Sequence, residues 1–305
     1  MKTAAELPLP GVELTAAKMP GHWFLARLGK RVLRPGGLEL TRSMLHSLGV
    51  RHFDAVVEFA PGLGATTELV LDHQPASYIG IEENEAAANR IGIRLTNPRH
   101  KCLVASAADT RLPGDSATVV FGEAMLTMQG EMQKTQIVRE AARISKPGGR
   151  YGIHELCLVP EDLDETIKLE IQHVLSQTIH VGARPLTAGQ WRALLDAAGF
   201  NVRAEMFRPM RLLKPNRLIQ DEGLWGAVRF AWNLWRDEEA RRRVKAMHQI
   251  FMKYRQHLAA IMLVGIKRPD RRSRRHDPKE DVGGKDGRSD PADRLEMSWR
   301  RASFS

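Results

Sequence analysis

The most constraining feature of the sequence is a regular alternation of short apolar segments with helix-forming segments, which begins near residue 53. Five apolar segments have the composition of buried strands: 54–60, 77–82, 101–106, 116–123 and 149–156. Three segments between them have helical composition: 65–73, 84–94 and 131–145. Units of about 25 residues are typical of parallel crossover connections. The alternation therefore predicts an α/β fold with a doubly wound, mostly parallel sheet covered by helices on both faces.

The regions outside this alternation predict further helices and two further strands. Helices are predicted over 21–33, 38–50, 160–182 and 186–200, with more helical material over 217–257. Strands over 201–213 and 258–268 bring the predicted sheet to seven. We therefore divide the chain into an N-terminal helical cap, a sheet domain with two helical insertions, and a disordered charged tail: 1–50, 51–268 with insertions at about 160–185 and 217–257, and 269–305.

The composition is that of a globular protein. Of the 305 residues, 43% are hydrophobic and 27% charged, and no apolar run approaches the roughly 18 residues of a membrane span. The first 20 residues lack the apolar core of a secretory signal. Cys102 and Cys157 are too far apart in sequence to indicate a zinc site or a disulfide framework. We expect a cytoplasmic protein without a membrane span.

The basic charge of the chain leaves two interpretations open. The net charge is +10, and residues 267–305 alone contain 12 Lys and Arg against 8 Asp and Glu. Basic clusters at 27–34, 208–217 and 240–245 fit either solvated helix faces or contact with a polyanion. Because no discrete nucleic-acid-binding module is evident, the sequence favours solvated faces, and nucleic acid is an unfavoured but open partner.

The segment 56–71, VVEFAPGLGATTELVL, has the pattern of a strand, a glycine turn and a helix. Such a turn brings strand ends and a helix N-terminus together, which makes it a ligand site in open parallel sheets. A dinucleotide fingerprint requires a third small residue where Thr67 stands, and a Walker loop requires a Gly-Lys-Ser/Thr sequence that is missing. Glu58 would also repel a pyrophosphate. A turn that serves only strand–helix connection remains the structural alternative.

Read from its acidic residue, the same segment resembles the first motif of class I S-adenosylmethionine-dependent methyltransferases. That motif is an acid followed by three alternating glycines, and here it reads Glu58-x-Ala60-x-Gly62-x-Gly64, with Ala60 in place of the first glycine. The resemblance implies that S-adenosylmethionine (SAM) binds against the motif. Its implied contacts in this turn are Glu58, Ala60, Pro61, Gly62 and Gly64.

Other segments resemble the same family in the expected order, over about residues 50–268. Glu82 ends the second strand, where the family uses an acid to bind the ribose hydroxyls. The segment 105–120 resembles the adenine-binding region, which implies a side-chain contact from Asp109 and a backbone contact from Ala108. The segment 144–156, ISKPGGRYGIHEL, resembles the family's turn before the fifth strand, and 186–200 resembles its following helix.

Candidate residues for chemistry follow the fourth and fifth strands. Glu123 is predicted to support the methionine end of SAM or to act as a base, with a strand-end cap as the alternative. His154 is predicted as a catalytic or substrate-contacting group, although a structural histidine is the favoured interpretation. Gln129 and Trp225 are predicted substrate contacts, and the apolar segment around Trp225 either walls a pocket or packs on the domain. No metal site is predicted, because His and Glu spacings match none.

The sequence thus predicts a SAM-dependent methyltransferase for a small-molecule acceptor, such as a lipid, a quinone or a natural product. In this family, added helices usually close over the cleft as a lid and select the acceptor. An RNA or DNA methyltransferase is one alternative, suggested by the charge. A non-catalytic SAM-binding protein is the other, because retained binding residues do not require turnover.

Overall fold

The computed structural model describes residues 8–15, 18–32, 34–210 and 215–269. The predicted charged tail beyond Pro269 lies outside the described residues, and the division of the chain into cap, domain and tail stays a prediction. Within the described ranges, no helix is long and apolar enough to cross a membrane.

One sheet organises the chain. Its strands are β1 (Ala55–Phe59), β2 (Ser77–Glu82), β3 (His100–Val104), β4 (Ala117–Glu123), β5 (Ser145–Leu158), β6 (Leu186–Thr187), β7 (Phe200–Pro209) and β8 (Leu258–Lys267). The strand order is β3-β2-β1-β4-β5-β8-β7, and the two-residue β6 pairs with the end of β5. The first five strands are parallel, whereas β8 runs antiparallel between β5 and β7. The predicted mostly parallel sheet is confirmed.

Nine helices are described around the sheet. Their bounds are α1 (Gly21–Arg27), α2 (Gly37–Leu48), α3 (Ala65–Leu71), α4 (Glu85–Gly92), α5 (Glu131–Ile144), α6 (Glu165–Ile179), α7 (Ala188–Ala197), α8 (Pro215–Arg236) and α9 (Glu238–Lys253). A short 3₁₀ turn over Leu126–Met128 follows β4. The alternation of strands and helices in the sequence therefore corresponds to a doubly wound α/β architecture.

The core lies on both faces of the sheet. On one face, α5 and α7 bury Ile137, Ala141 and Trp191 against β1, β4 and β5. On the other, α2 and α3 pack through residues such as Met44 and Val70. A separate apolar cluster joins α1, α8 and α9. The added helices thus surround the edge of the sheet at which the parallel strands end.

Two helices differ from the sequence expectation at glycines. The helix predicted over 21–33 ends at Arg27, because Gly29 has a φ of 103°, outside the helical region. The long helix α8 contains a break at Gly223, whose φ of 74° interrupts it. The chain therefore leaves the helical conformation before Gly29, and Gly223 separates α8 into two helical parts.

Candidate functional site

A cavity of about 380 Å³ lies at the carboxyl ends of β1, β2 and β4. One part of its wall is formed by the turn after β1, with Ala60, Pro61 and Gly62, and by Glu82 at the end of β2. Its far wall comes from α1, α6 and α9. From β1 the chain continues to β2 and β3 on one side of the sheet, and from β4 it continues to β5 on the other side. The carboxyl ends of β1 and β4 are therefore the topological switch point, where ligands of open α/β folds bind.

The turn after β1 uses the left-handed backbone region three times. Gly62 and Gly64 have φ values of 59° and 78°, and Gly64 caps the N-terminus of α3. Ala60 has a φ of 50°, a conformation that costs a residue with a Cβ about 1–2 kcal/mol. Its amide is fixed by a 2.8 Å hydrogen bond to the carbonyl of Ile81 on β2. The turn therefore keeps the glycine-like backbone of the motif despite the alanine.

Glu82 joins the ends of two strands through backbone hydrogen bonds. Its Oε2 accepts from the amide of Gly62 at 3.0 Å and its Oε1 from the amide of Asn84 at 3.0 Å. The side chain lines the cavity, and burial raises the pKa of this carboxyl despite those two amides. A carboxylate has about four acceptor positions, so two amides leave capacity for ligand hydroxyls. The predicted ribose-binding acid is thus held rigidly at the cavity wall.

Glu58 points away from the cavity, into the protein. Its Oε2 accepts from the hydroxyls of Tyr78 at 2.6 Å and Thr67 at 2.8 Å. Burial raises the pKa of Glu58 to about 7, although both hydroxyls lower it. Thr67, which interrupts the dinucleotide fingerprint, therefore serves as the partner of the motif's acid. Glu58 therefore supports the turn indirectly, because its two bonds join the start of α3 to β2.

Glu123 is the centre of a buried polar cluster at the cavity wall. Its Oε1 accepts from Thr41 at 2.6 Å and lies 2.7 Å from Nδ1 of His154, and its Oε2 bonds to Thr66 and lies 3.2 Å from Nη1 of Arg34. Burial alone would raise the pKa of Glu123, but Arg34 and His154 lower it to about 2. The carboxylate therefore joins α2, α3, β5 and the segment before α2, and it is a very weak base.

His154 and Glu155 face opposite sides of β5, as neighbours on a strand must. His154 is fully buried between Glu123 and the carbonyl of Pro35, and it does not line the cavity. Glu155 lines the cavity and accepts from the amides of Met125, Leu126 and Thr127 at 2.8–3.0 Å. Burial raises the pKa of Glu155, with the amides opposing. It therefore shapes the turn after β4 that carries Gln129.

The remaining predicted residues divide between the cavity and the surface. Gln129 lines the cavity. Ala108 lies beside the lining residue Ala107, while the Asp109 side chain is 74% exposed and faces Arg111. Trp225 is 83% exposed and does not line the cavity. The structure therefore does not bring Asp109 or Trp225 to the cavity formed by the glycine turn, and in this conformation both side chains face outward.

Arg34 and His22 also line the cavity; from the sequence, a solvated surface role is favoured for the basic cluster at 27–34, and His22 is given no role. Arg34 lines the cavity, and its buried Nε and Nη2 make no hydrogen bond within the described part of the chain. His22 lines the far wall beside Trp23, with ring centroids 4.6 Å apart, and burial lowers the pKa of His22 to about 4. A histidine at a helix start carries no distinctive sequence signal, so only the packing of α1 against α6 reveals it.

Two acids of α8, Asp221 and Glu222, bind the segment that carries Arg31 and Arg34. Oε1 of Glu222 accepts from the amides of Arg31 and Val32 at 2.8 Å each, and Oδ1 of Asp221 accepts from the amide of Leu38 at 3.0 Å. Nζ of Lys30, fully buried, lies 3.6 Å from Glu222 and 3.7 Å from Asp221. Burial lowers the pKa of Lys30, against the attraction of both acids. The inserted helix α8 thus fixes one wall of the cavity.

The fold and the cavity define a Rossmann-like protein with a candidate nucleoside-binding site. The bare backbone at Gly62, the buried Glu82 carboxylate and the unpaired guanidinium nitrogens of Arg34 provide groups for a ligand with a ribose and a carboxylate. This donor set fits an amino-acid-bearing nucleoside better than a pyrophosphate, which the nearby Glu82 and Glu123 would repel.

Comparisons with known proteins agree with this class. Residues 57–153 match a family model described as a methyltransferase domain. An uncharacterised protein of Haemophilus influenzae is 32% identical over 236 residues, which span 76% of this chain and 91% of the relative.

Two solved structures share the fold at low sequence identity. The MccD protein has a TM-score of 0.62 at 16% identity, covering 77% of this chain and 99% of its own. Phosphoethanolamine N-methyltransferase 2 of Haemonchus contortus, in complex with phosphomonomethylethanolamine and S-adenosylhomocysteine, has a TM-score of 0.59 at 14% identity, covering 78% of this chain and 54% of its own.

The chain belongs to the methyltransferase family of that domain model, and its fold is that of the class I SAM-dependent methyltransferases. SAM is the cofactor of this family, so the cofactor expected from the sequence motif is confirmed.

Proposed function

We propose that this protein transfers a methyl group from SAM to a small, largely apolar acceptor bound in the same cavity. The observation that carries the proposal is the continuity of that cavity. One end holds the glycine turn and Glu82, and the other is walled by apolar side chains of α6, of α9 and of Met210, which follows β7. Donor and acceptor would therefore share one cavity, which brings the two reactants into contact.

The apolar wall supports an acceptor with a hydrophobic body. It consists of Leu175, Ile179, Met210, Met247 and Phe251. Flexible methionines adapt to irregular ligands, and an apolar wall with few polar groups is typical of small-molecule sites. The polar groups at this end, Gln129 and His22, are suited to orient one polar atom of the acceptor.

His22 is the residue that we assign to orienting the acceptor's polar atom. Its pKa, lowered by burial to about 4, leaves the imidazole neutral at physiological pH. The ring makes no hydrogen bond within the described ranges, and a neutral ring nitrogen accepts a hydrogen bond from a nearby hydroxyl of the acceptor. Glu123, with its pKa lowered and both oxygens occupied, is better suited to position Arg34 than to remove a proton.

The chain's groups would hold the cofactor at defined atoms. Glu82 would accept the ribose hydroxyls, the turn around Gly62 would admit the nucleoside against bare backbone, and Arg34 would pair with the carboxylate. When bound, SAM supplies a methyl group on a sulfonium sulfur, and an acceptor lone pair forms the new bond as the carbon–sulfur bond breaks and the sulfur keeps its electron pair. Asp109 remains a proposed adenine contact only if its loop turns inward.

The two alternative functions differ from this proposal in their substrates. A nucleic-acid methyltransferase requires a basic surface at the mouth of the site, whereas the acceptor wall is apolar. A non-catalytic SAM-binding protein needs no acceptor cavity. A location in the cytoplasm stays a prediction from the sequence.

The experiment that tests the proposal combines calorimetry with methyl transfer from labelled SAM. Glu82→Ala is expected to weaken SAM binding at least about tenfold, because a charge-assisted contact and the support of Gly62 are lost. Glu85→Ala, at an exposed acid nearby that does not line the cavity, is the matched control and is expected to bind normally. A panel of apolar phenols, quinols and amines is then compared with total RNA and DNA as acceptors. Transfer to nucleic acid alone, or equal SAM affinity in both variants, would contradict the proposal.

A further inference from the structure

An exposed apolar face of α8 lies outside the cavity and has no role in the proposed reaction. It consists of Leu224, Trp225, Val228, Trp232 and Trp235, which we call the tryptophan strip. All five side chains are more than half exposed, and Trp225 is 83% exposed. We propose that the tryptophan strip binds the surface of an anionic lipid membrane, with α8 lying in the plane of the headgroups.

The helical geometry makes the strip a single face. At 3.6 residues per turn, its five side chains fall within an arc of about 100°. The opposite face buries Phe230 in the cluster shared with α1 and α9, and it also buries Ala227. Phe230 and Ala227 thus account for the packing of α8, and the strip is not required for it. Trp232 and Trp235 contact each other with ring centroids 5.4 Å apart, so the indoles form one continuous surface.

Basic side chains border the strip. Arg236 follows it around the helix, within about 20° of its edge at 3.6 residues per turn. The guanidinium of Arg241, on α9, donates to the carbonyl of Trp235. Residues 224–245 together contain six Lys and Arg against three Asp and Glu. Arginine beside tryptophan and leucine is the composition of helices that lie in a membrane interface, where each basic side chain near an anionic surface adds about 1 kcal/mol.

The side-chain types favour a membrane over other occupants. Tryptophan is the residue that concentrates at the membrane–water interface, since its ring is apolar and its N–H polar. Single-stranded RNA would stack on the indoles, but it gives no reason for the aliphatic Leu224 and Val228 in the same face. A second copy of the chain would need roughly 800 Å² from each partner, whereas the three exposed indoles present roughly 400 Å².

A membrane-bound strip would also lie next to the wall of the active-site cavity. On the buried side of α8, Asn233 donates to the carbonyl of Leu28 at 3.1 Å, and Arg229 donates to that of Gly29 at 3.4 Å. These carbonyls directly follow α1, which contributes His22 and Trp23 to the cavity. Docking through the strip therefore needs no rearrangement of the catalytic machinery.

The test is cosedimentation of the full-length protein with vesicles of phosphatidylcholine alone and with 30 mol% phosphatidylglycerol, a composition chosen as roughly that of anionic cell membranes. We expect binding to the anionic vesicles, with a blue shift of tryptophan fluorescence. The triple variant Trp225→Ala/Trp232→Ala/Trp235→Ala is expected to weaken binding by about tenfold or more, through lost apolar burial. Phe53→Ala removes a similarly exposed aromatic ring before β1 and is expected to bind as the wild type does.

The charge contribution is tested separately with Arg236→Gln and with added salt. Both are expected to weaken binding to anionic vesicles and to leave SAM affinity unchanged. The proposal is overturned if the triple variant binds vesicles as tightly as the wild type. It is equally overturned if the strip proves to bind RNA in place of vesicles, or if sedimentation shows a wild-type dimer that the triple variant dissociates. Normal SAM affinity in the triple variant verifies that it is folded.

Discussion

Glu123 and His154 are direct register partners on β4 and β5, and Oε1 of Glu123 lies 2.7 Å from Nδ1 of His154. Nε2 of His154 faces the carbonyl of Pro35 on the other side of the ring. Both partners are acceptors, so the ring makes both bonds when both nitrogens carry protons. The pair therefore connects the middle of the sheet to the segment that carries Arg34 into the cavity.

Replacing Glu123 with Gln is expected to lower the free energy of unfolding by about 3 kcal/mol at neutral pH. Burial raises the pKa of Glu123, but Arg34 and His154 lower it overall from 4.5 to about 2. The stabilisation is thus complete above pH 4.5 and is lost as the pH falls toward 2. Denaturant unfolding of both proteins between pH 2 and 7 measures this, and the two curves should converge in acid. Glu165→Gln, at an exposed acid, should keep the wild-type pH dependence.

Replacing Ala60 with Gly is expected to preserve or raise stability, by up to about 1 kcal/mol. The change relieves a left-handed alanine, and the greater freedom of glycine in the unfolded chain offsets part of the gain. The mirror change Gly62→Ala, at a φ of 59°, should cost about 1–2 kcal/mol. Thermal unfolding of both variants measures the difference. A loss of more than about 1 kcal/mol in Ala60→Gly, as in an ordinary helix interior, would refute the strain argument.

Replacing His22 with Phe is expected to lower kcat at least about tenfold while SAM affinity stays normal, because the ring nitrogens are lost and the aromatic packing is kept. The substitution also changes acid stability. Burial lowers the pKa of His22 from 6.5 to about 4, so the wild type loses up to about 3 kcal/mol as the pH falls from 6.5 to 4. The Phe variant should not show this loss of stability between pH 6.5 and pH 4. Identical acid-unfolding curves for the two proteins would show that His22 is not held neutral.

Replacing Glu222 with Ala is expected to cost about 2–4 kcal/mol of stability and to weaken SAM binding. The change removes the acceptor of the Arg31 and Val32 amides and one of the acids beside the buried Lys30. Calorimetry and denaturant unfolding measure both effects. Asp196→Ala, which breaks an exposed ion pair with Arg268, should change stability by less than about 1 kcal/mol. If Glu222→Ala keeps the wild-type free energy of unfolding but binds SAM poorly, the bonds of Glu222 position the site without stabilising the fold.

The sequence predicted the parallel part of the sheet well because each strand is a short apolar run bounded by helical segments. The position of β8 between β5 and β7 could not be predicted, since pairing across about a hundred residues leaves no local pattern. The end of α1 was predicted too late, because the apolar spacing continues through Leu28 and Val32 although Gly29 ends the helix. Periodicity identifies elements, and single backbone conformations determine their limits.

The site was predictable where backbone geometry demands particular residues and less so where packing decides. Gly62 and Glu82 stand out because a bare turn and a strand-end acid carry a recognisable pattern. The orientation of Glu58 depends on Tyr78, which lies 20 residues further along the chain. His22 reaches the cavity because Gly21 allows α1 to approach Ile179, where a Cβ would lie only 3.2 Å from that residue. Such contacts between distant segments have no signature in a single sequence.

The clamp formed by Glu222 holds main-chain amides rather than side chains. Positions 31 and 32 can therefore exchange their side chains during evolution while the path of the chain around the cavity is conserved. Only proline, which lacks the amide hydrogen, would be forbidden there by the clamp itself. Related enzymes could thus alter the charge at the cavity mouth, and with it the acceptors they admit, without rebuilding the wall.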